Sequence, residues 1–155
     1  MHIYLYNEHL KTNLYRLKAL GDIELASVFI ERFAPLLKVK YFNHFLVSAP
    51  SGHESEKERG FNHVKVLFSA LNRPFLDLFS KKFAFKQSDL NYEERQDVIN
   101  KIEVKNGESV KNKRILIVDD LHTTGATIRA MISLIRPFKP KSINVLTIAK
   151  TGDNF

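Results

Sequence analysis

Several absences narrow the function of this chain before any motif is considered. Its 155 residues include no cysteine, which excludes disulfide bonds and thiolate metal ligands and agrees with a reducing cytoplasm as its compartment. The most apolar runs, 115–118 and 143–148, are as short as strands, whereas a membrane-spanning helix needs about 18 apolar residues. The N-terminus lacks a basic segment followed by an apolar one. We therefore expect a cytoplasmic protein with neither a membrane span nor a secretory signal.

Length and composition are those of one compact domain. Hydrophobic residues make up 44% of the chain and charged residues 26%, which is ordinary for a globular protein. A chain of this size buries roughly 70% of its unfolded surface, so it needs no metal or disulfide in order to fold.

Positive charge is in excess and unevenly distributed. The chain carries 24 Lys and Arg against 17 Asp and Glu, a net charge of +7. Residues 111–155 alone hold eight basic and three acidic side chains, a net +5. This excess favours anionic partners such as phosphates, nucleotides or nucleic acid, although solvated lysines on loops would give the same numbers.

Hydrophobic periodicity and capping residues predict a series of short elements. Asn7 is typical of the N-cap of a helix that Gly21 would end, and Asp22 would cap a second helix that Pro35 would stop. Polar stretches at 51–60 and 86–100 are predicted to be loops, the second with a short helix. The predicted strands cover 3–6, 41–47, 114–118 and 142–148, and further helices cover 62–71 and 126–136. The last strand, helix and strand form a βαβ unit, which predicts a parallel sheet with a right-handed crossover.

The most specific signal is the DDLHTTGAT segment inside this unit. Ligands of open α/β sheets bind beyond the carboxyl ends of the strands, where we expect this segment to lie. Gly125 gives the backbone freedom to turn around an anion, and the amides from Thr123 to Thr127 can converge on one phosphate at a helix N-terminus. We call the last five residues of this segment the phosphate cradle: Thr123, Thr124, Gly125, Ala126 and Thr127.

Two acidic residues, Asp119 and Asp120, precede the cradle. Carboxylates repel a phosphate but accept hydrogen bonds from the hydroxyls of a sugar attached to it. The combination predicts a ribose 5-phosphate as ligand. The alternative is that the two aspartates only cap the strand and the turn after it.

At this point the sequence resembles a known family. Val118–Thr127 is similar to the phosphoribosyl pyrophosphate (PRPP) binding signature of the type I phosphoribosyltransferases. Further runs resemble the ComF competence-protein branch: LKALGD at 17–22, ERGFN at 58–62, and the spaced Gln87, Leu90 and Arg95. The resemblance implies an α/β fold with a mostly parallel sheet flanked by helices, residues 1–40 forming a small N-terminal hood and 41–155 the core of a single domain.

The same resemblance implies roles for particular residues. Asp119 and Asp120 would be the catalytic pair that binds the ribose, and the cradle would hold the 5′-phosphate. Lys57 and Arg59 would meet the pyrophosphate, and Arg95 would belong to a lid that excludes water. Mg²⁺ would be bound through the substrate, with no metal ligand assigned to the protein.

The sequence also departs from the family pattern. Relatives begin with a four-cysteine zinc module, and the lack of cysteine means that no zinc is expected here. His63 stands where the family has Gln, and His122 where the signature often has an aliphatic residue. Thr123 occupies the position of an Asp that handles the base proton in 6-oxopurine salvage enzymes, which counts against hypoxanthine or guanine as acceptor.

Three functions remain open on this basis. The first is a ComF-type factor for DNA uptake in natural transformation, contacting single-stranded DNA, the helicase of the uptake machinery, or both. The second is an active, Mg²⁺-dependent phosphoribosyltransferase of nucleotide salvage, and the third is a PRPP-sensing regulator without catalysis. The sequence does not define an oligomeric state.

Overall fold

The computed structural model describes residues 1–50, 60–81 and 102–151. Its helices are α1 (Glu8–Ala19), α2 (Leu25–Ile30), α3 (Ala34–Lys40), α4 (His63–Phe68) and α5 (Ala126–Ile135). Its strands are β1 (His2–Leu5), β2 (His44–Ser48), β3 (Phe79–Lys81), β4 (Ile102–Val104), β5 (Arg114–His122) and β6 (Ser142–Lys150). Single 3₁₀ turns cover Ser69–Leu71, Gly107–Val110 and Arg136–Phe138.

The central sheet has the strand order β1-β6-β5-β2, and all of its neighbouring strands are parallel. The predicted βαβ unit is confirmed as β5, α5 and β6, with Ile115 opposite Ile143 in the ladder. β3 and β4 form a separate antiparallel pair. This is the mostly parallel α/β sheet flanked by helices that the sequence predicts.

Two apolar clusters cover the two faces of this sheet. On one face, Leu116 and Val118 of β5 pack with Leu17 of α1 and Phe68 of α4. On the other face, Ile115 and Ile117 pack with Met131 of α5 and with the β3–β4 pair. Both faces are covered, which explains why residues 115–118 form a continuous apolar run and do not alternate with polar residues.

The N-terminal 40 residues do not stand apart from this sheet, because β1 is hydrogen-bonded to β6 as its edge strand. The helices α1 to α3 contribute to the cluster on one face. The division into a hood and a core at residue 40 stays a prediction.

Several local predictions are confirmed and others are wrong. The Asn7 side chain accepts a hydrogen bond from the Leu10 amide, as an N-cap does, and Gly21 has a left-handed φ of +70°. Asp22 does not cap the second helix; its carboxylate pairs with Arg16 at 2.9 Å, and α2 begins at Leu25. Pro35 lies in the first turn of the unpredicted α3, because proline fits the start of a helix as well as it ends one.

Candidate functional site

β5 is longer than its apolar run predicts. It continues through the acidic pair to His122, pairing with β6 as far as Lys150. Asp119 and Asp120 were expected after the end of the strand, and this expectation is wrong: they lie within its last four residues. Backbone pairing therefore holds both carboxylates in a fixed orientation at the carboxyl end of the sheet.

The phosphate cradle follows directly as a tight turn into α5. Gly125 adopts a φ of +71°, and α5 begins at Ala126 without a side-chain cap. Within the described part of the chain, no protein acceptor is found for the backbone amides of Thr123, Thr124, Gly125 and Thr127. Unpaired amides at the positive end of a ten-residue helix form a natural anion-binding site.

Two side chains that the sequence analysis did not assign border the cradle. Arg129, one turn into α5, donates a hydrogen bond from Nη1 to the Thr124 carbonyl at 2.8 Å. The imidazole of His122 lies against the turn, so that a Cβ built on Gly125 would come within 2.5 Å of its Nε2. The positive φ therefore favours glycine at position 125, and a Cβ there would displace the His122 ring.

Burial and surrounding cations lower the pKa of His122. The cations are Lys150, Arg129, the N-terminal amine and His2. The ring is therefore mostly neutral at neutral pH. The edge of the cradle presents positive charge even though the cradle itself consists of backbone and threonine.

Asp120 is buried, with 5% of its surface exposed, and its carboxylate contacts side chains from two helices. Lys18 of α1 forms an ion pair with its Oδ2. His63, the first residue of α4, brings Nε2 to 3.8 Å from the same oxygen. Burial acts to raise the pKa of Asp120, but Lys18 and His63 oppose it, and the pKa lies below its ordinary value. Asp120 is therefore a buried, ionised group.

Asp119 has a different environment. It is half-buried, and its Oδ1 accepts a hydrogen bond from the Asp120 amide at 2.9 Å. Burial, and next the neighbouring Asp120 carboxylate, raise the pKa of Asp119 from 3.8 to about 7. Two adjacent aspartates thus carry different charge states near neutral pH.

The pleat of β5 explains the difference. Leu116 and Val118 face α1 and α4, so the alternation of side chains places Asp120 on that face as well. Asp119 falls on the face of Ile117, which packs with α5, the helix that carries the cradle. The two side chains still interact, and each carboxylate affects the pKa of the other.

Two motifs earlier in the chain position the residues that contact Asp120. In LKALGD, Leu17 is fully buried, Lys18 pairs with Asp120, and Gly21 ends α1 in a left-handed turn. In ERGFN, the side chain of Asn62 caps α4 by accepting a hydrogen bond from the Lys65 amide at 3.0 Å. That cap fixes the start of α4 and with it the position of His63. Lys18 and His63 were not predicted as site residues, since only the fold brings residues 18, 63 and 120 together.

Some of the predicted residues cannot be compared with the structure. Lys57 and Arg59 on the pyrophosphate side, and Arg95 of the lid, lie outside the described residues. Among residues that are described, no group of three His, Asp or Glu side chains is close enough together to hold a metal ion. Within the same ranges, no helix is long and apolar enough to span a membrane.

The amino end of the sheet differs from the carboxyl end. The turns before β5 and β6 are joined by hydrogen bonds from the Asn112 amide to the Lys139 carbonyl, 3.1 Å, and from the Lys141 amide to the Lys113 carbonyl, 2.8 Å. These turns and the first residue of β5 hold five cations, which we call the amino-end cluster: Lys111, Lys113, Arg114, Lys139 and Lys141. All except the half-buried Lys113 are exposed, and none pairs with an acidic side chain of the described ranges.

A parallel sheet with acidic residues at the carboxyl end of an inner strand and a glycine turn into the next helix is the arrangement of α/β domains that bind nucleotides and sugar phosphates. Residues 58–154 match the family model described as "Phosphoribosyl transferase domain". Because this match covers more than half of the sequence, the chain belongs to the phosphoribosyl transferase domain family.

Named relatives narrow the resemblance within that family. The chain is 32% identical to the competence protein ComFC of Streptococcus pneumoniae over 96% of its own length, and 34% identical to that of Bacillus subtilis over the same share. It spans 66% and 63% of the length of these two proteins.

Solved structures support the fold alone. A hypoxanthine phosphoribosyltransferase from Staphylococcus aureus superposes with a TM-score of 0.54 at 14% identity, covering 86% of this chain and 69% of that one. A hypoxanthine-guanine phosphoribosyltransferase from Bacillus anthracis gives 0.53 at 13% identity, covering 86% and 74%. The predicted fold class is confirmed.

Proposed function

We propose that this protein binds PRPP at the carboxyl end of its sheet and acts in the cytoplasm in DNA uptake during natural transformation, as a ComFC-like protein. The observation that carries the first part is the cradle: unpaired amides at the N-terminus of α5, next to the half-buried Asp119. The similarity to the two competence proteins, along almost the whole chain, supports the second part.

In the proposed complex, the 5′-phosphate binds the cradle amides and threonine hydroxyls. The ribose lies over the acidic pair, where a carboxylate accepts hydrogen bonds from its hydroxyls. Arg129 and the other cations around His122 complement the charge of the phosphate. On this proposal Lys57, Arg59 and Arg95 would contact the pyrophosphate or close over it.

Mg²⁺ is proposed to enter with PRPP. It is a hard cation that keeps most of its ligands from water and substrate phosphates, so it needs few ligands from the protein. The acidic pair beside the proposed ribose, Asp119 and Asp120, fits a role near such an ion.

If the protein is a transferase, the chemistry is loss of pyrophosphate from C1 of the ribose and attack by an acceptor nitrogen. Positive charge grows on the ribose ring and negative charge on the leaving group. The oxygens of the acidic pair and a fixed set of amides stabilise such charges by position, without forming a covalent intermediate.

The test is a calorimetric titration of PRPP with Mg²⁺ into the protein, followed by assay of pyrophosphate release with a panel of nucleobases. Saturable binding with turnover identifies an active transferase. Saturable binding without turnover on any base identifies a PRPP-binding factor without that chemistry. The absence of PRPP binding would refute the proposal.

A second candidate function, contact with single-stranded DNA, is favoured by the amino-end cluster. Five cations on two hydrogen-bonded turns present a dense positive surface on a rigid support. The nearby aromatic rings are already engaged: Lys113 lies 4.6 Å from the ring centre of Phe45, and Phe138 covers Gly107. The surface therefore suits phosphates more than stacked bases, which predicts binding without sequence preference.

The corresponding experiment is an electrophoretic or anisotropy titration with a fluorescent oligonucleotide at several salt concentrations. Affinity that falls steeply with salt is the expected result, because bound cations release counterions from the strand. Binding that does not respond to salt would remove the electrostatic account. A helicase partner stays a prediction from family resemblance.

A further inference from the structure

Two surfaces of the N-terminal helices have no role in the proposed function. The first is a row of apolar side chains that begins on the outer face of α3, which we call the α3 stripe. Its members Leu36, Val39 and Phe42 lie three residues apart and are 64%, 75% and 57% exposed. The opposite side of the same helix is anchored in the core by Leu37 and Tyr41. The stripe is therefore a rigid apolar surface that no element of the described ranges covers.

Positive charge surrounds the α3 stripe. Arg32, Lys38 and Lys40 are exposed, and the two lysines flank Val39 in the chain. Arg73 adds a further cation, because its Nη2 donates a hydrogen bond to the Lys38 carbonyl at 3.3 Å. Among the described residues, neither lysine forms an ion pair with an acidic side chain. The surface therefore favours a partner that offers both apolar and acidic groups.

The second surface is an open groove between α2 and α4, about 630 Å³ in volume, which we call the α2–α4 groove. Its apolar lining includes Ile23, Val66 and Leu67. Two glutamates also line it at the two ends of α2, the exposed Glu24 and Glu31. The remaining lining residues are small and leave room for the side chains of a partner: Ala26, Ser27, Ser69 and Ala70. The groove is thus apolar and acidic.

Stripe and groove are complementary in charge and matched in length. Six residues separate the ends of the stripe and seven separate the two glutamates, so that each is roughly 10 Å long at the helical rise. We propose that the α3 stripe of one copy of this chain docks in the α2–α4 groove of a second copy, in a dimer with two-fold symmetry. The proposal goes beyond the proposed function and does not depend on PRPP.

The positions of the two surfaces suit this symmetry. Only residues 31–33 separate α2 from α3, and α3 also packs against the Ser69–Leu71 turn, part of which lines the groove. The groove and the stripe therefore adjoin on one molecule. A single two-fold axis can then bring each of them against its counterpart, so that the same contact forms twice.

Apolar burial and charge have separate roles in this dimer. Docking removes three large apolar side chains of each copy from water, which supplies most of the affinity. The net charge of +7 opposes the approach of two copies. Placing Lys38 and Lys40 against Glu24 and Glu31 reverses that repulsion at the contact, and so defines which surfaces meet.

The first test is sedimentation velocity of the full chain from about 1 to about 100 μM, which should show a monomer–dimer equilibrium. Val39→Glu places a carboxylate in the docked stripe and should weaken association by about thirtyfold or more. Because Val39 is exposed in the single chain, the substitution should leave the fold intact, which circular dichroism verifies. Tyr15→Glu is the matched control: Tyr15 is 62% exposed on α1, outside both surfaces, and its substitution should leave association unchanged.

The second test exchanges charge between the two surfaces. The variants Glu24→Lys/Glu31→Lys and Lys38→Glu/Lys40→Glu should each self-associate about tenfold or more weakly, because like charges then meet at both contacts. In an equal mixture of the two variants, each groove meets a stripe of opposite charge. The mixture should therefore associate to within about threefold of the wild-type affinity. Rescue of this kind requires that both variants are folded and that stripe and groove touch.

Four results would overturn the inference. A wild type that stays monomeric over the whole concentration range excludes the dimer. A dimer that is unaffected by Val39→Glu has its interface elsewhere, and folded charge variants that show no rescue place stripe and groove apart. If a monomeric protein binds vesicles of anionic lipid and Val39→Glu abolishes that binding, the stripe is a membrane contact. PRPP binding is measured separately, so that failure of the dimer and failure of the proposed function are distinct outcomes.

Discussion

The two ends of the central sheet offer different groups to an anion. At the carboxyl end, the cradle offers unpaired backbone amides, threonine hydroxyls and a helix N-terminus, with two aspartates beside it. At the amino end, the amino-end cluster offers mostly exposed lysine and arginine side chains, while the amides of Asn112, Lys113, Lys139 and Lys141 are already bonded to carbonyls. The first suits one phosphate in one orientation, and the second suits a polyanion in many orientations.

The comparison also shows where the excess positive charge of the chain, a net +7, lies. Much of the excess lies on the turns before β5 and β6, and these turns are at the opposite end of the strands from the cradle. A small phosphate ester and a nucleic acid strand therefore need not compete for the same surface. Substitutions that damage one end should spare the other.

Gly125→Ala should produce the largest effect. Alanine adopts the left-handed φ of +71° only with strain, and its Cβ would lie 2.5 Å from His122 Nε2, so the His122 ring must move away from the turn. We expect PRPP affinity to fall by about a hundredfold, from strain and displaced amides together. Calorimetry provides the measurement.

Asn112→Ala is the control for that substitution at the other end. Asn112 also has a positive φ, +58°, which alanine adopts poorly, but it lies between two lysines of the amino-end cluster. The substitution should lower stability and leave PRPP affinity intact. A similar loss of PRPP binding in both variants would show that the effect of Gly125→Ala is global.

Removing three cations of the amino-end cluster should have the next largest effect. In the triple variant Lys111→Gln/Lys139→Gln/Lys141→Gln, we expect DNA affinity at low salt to fall by about tenfold or more, and the slope of log affinity against log salt to flatten by about 2. PRPP affinity should not change. The control triple, Lys11→Gln/Arg32→Gln/Lys38→Gln, removes the same charge from the N-terminal helices. Equal losses in both triples would mean that net charge matters and the surface does not.

The pH dependence of stability should distinguish the two aspartates. Because the pKa of Asp119 rises from 3.8 to about 7 on folding, the folded state holds a proton that the unfolded state loses in that range. The stabilisation from Asp119 is complete below about pH 4 and is lost as the pH rises through about 7. The pKa of Asp120 is lowered, so its contribution to stability is lost only as the pH falls below that range.

Denaturant unfolding of the wild type and Asp119→Asn at pH 5 and pH 8 measures this effect. The wild type should lose more than about 1 kcal/mol of unfolding free energy relative to the variant over that range. A constant difference between the two proteins would contradict the assignment of the protonated group to Asp119.

The smallest effect concerns the contrast between two helix N-termini. The side chain of Asn7 caps α1, whereas α5 has no side-chain cap and leaves its amides for a ligand. Asn7→Ala should lower the free energy of unfolding by about 1 kcal/mol and leave PRPP affinity unchanged. If the same substitution also weakened PRPP binding, α1 would affect the site through more than Lys18.

The sequence predicts those parts of the protein that depend on local chemistry. The βαβ unit, the Asn7 cap, the left-handed Gly21 and the cradle turn at Gly125 all follow from residues close together in the chain. These are the elements in which local propensity and tertiary packing agree.

The parts that depend on long-range contacts were not predicted. The strand β5 runs past its apolar core into two aspartates because the ladder with β6 supports it there. Leu20 and Ile23 continue the apolar pattern of their segments and yet are 68% and 48% exposed, since no element of the described ranges covers them. The pairing of Lys18 with Asp120 joins residues about 100 positions apart, and no pattern within either segment signals it.

The central claim is that the end of β5 and the start of α5 bind PRPP. Calorimetric titration of PRPP with Mg²⁺ into the wild type and into Asp119→Asn/Asp120→Asn tests it most directly, with circular dichroism to verify that both proteins are folded. We predict saturable binding to the wild type and none to the folded double variant. Equal PRPP affinity in the two proteins would contradict the account.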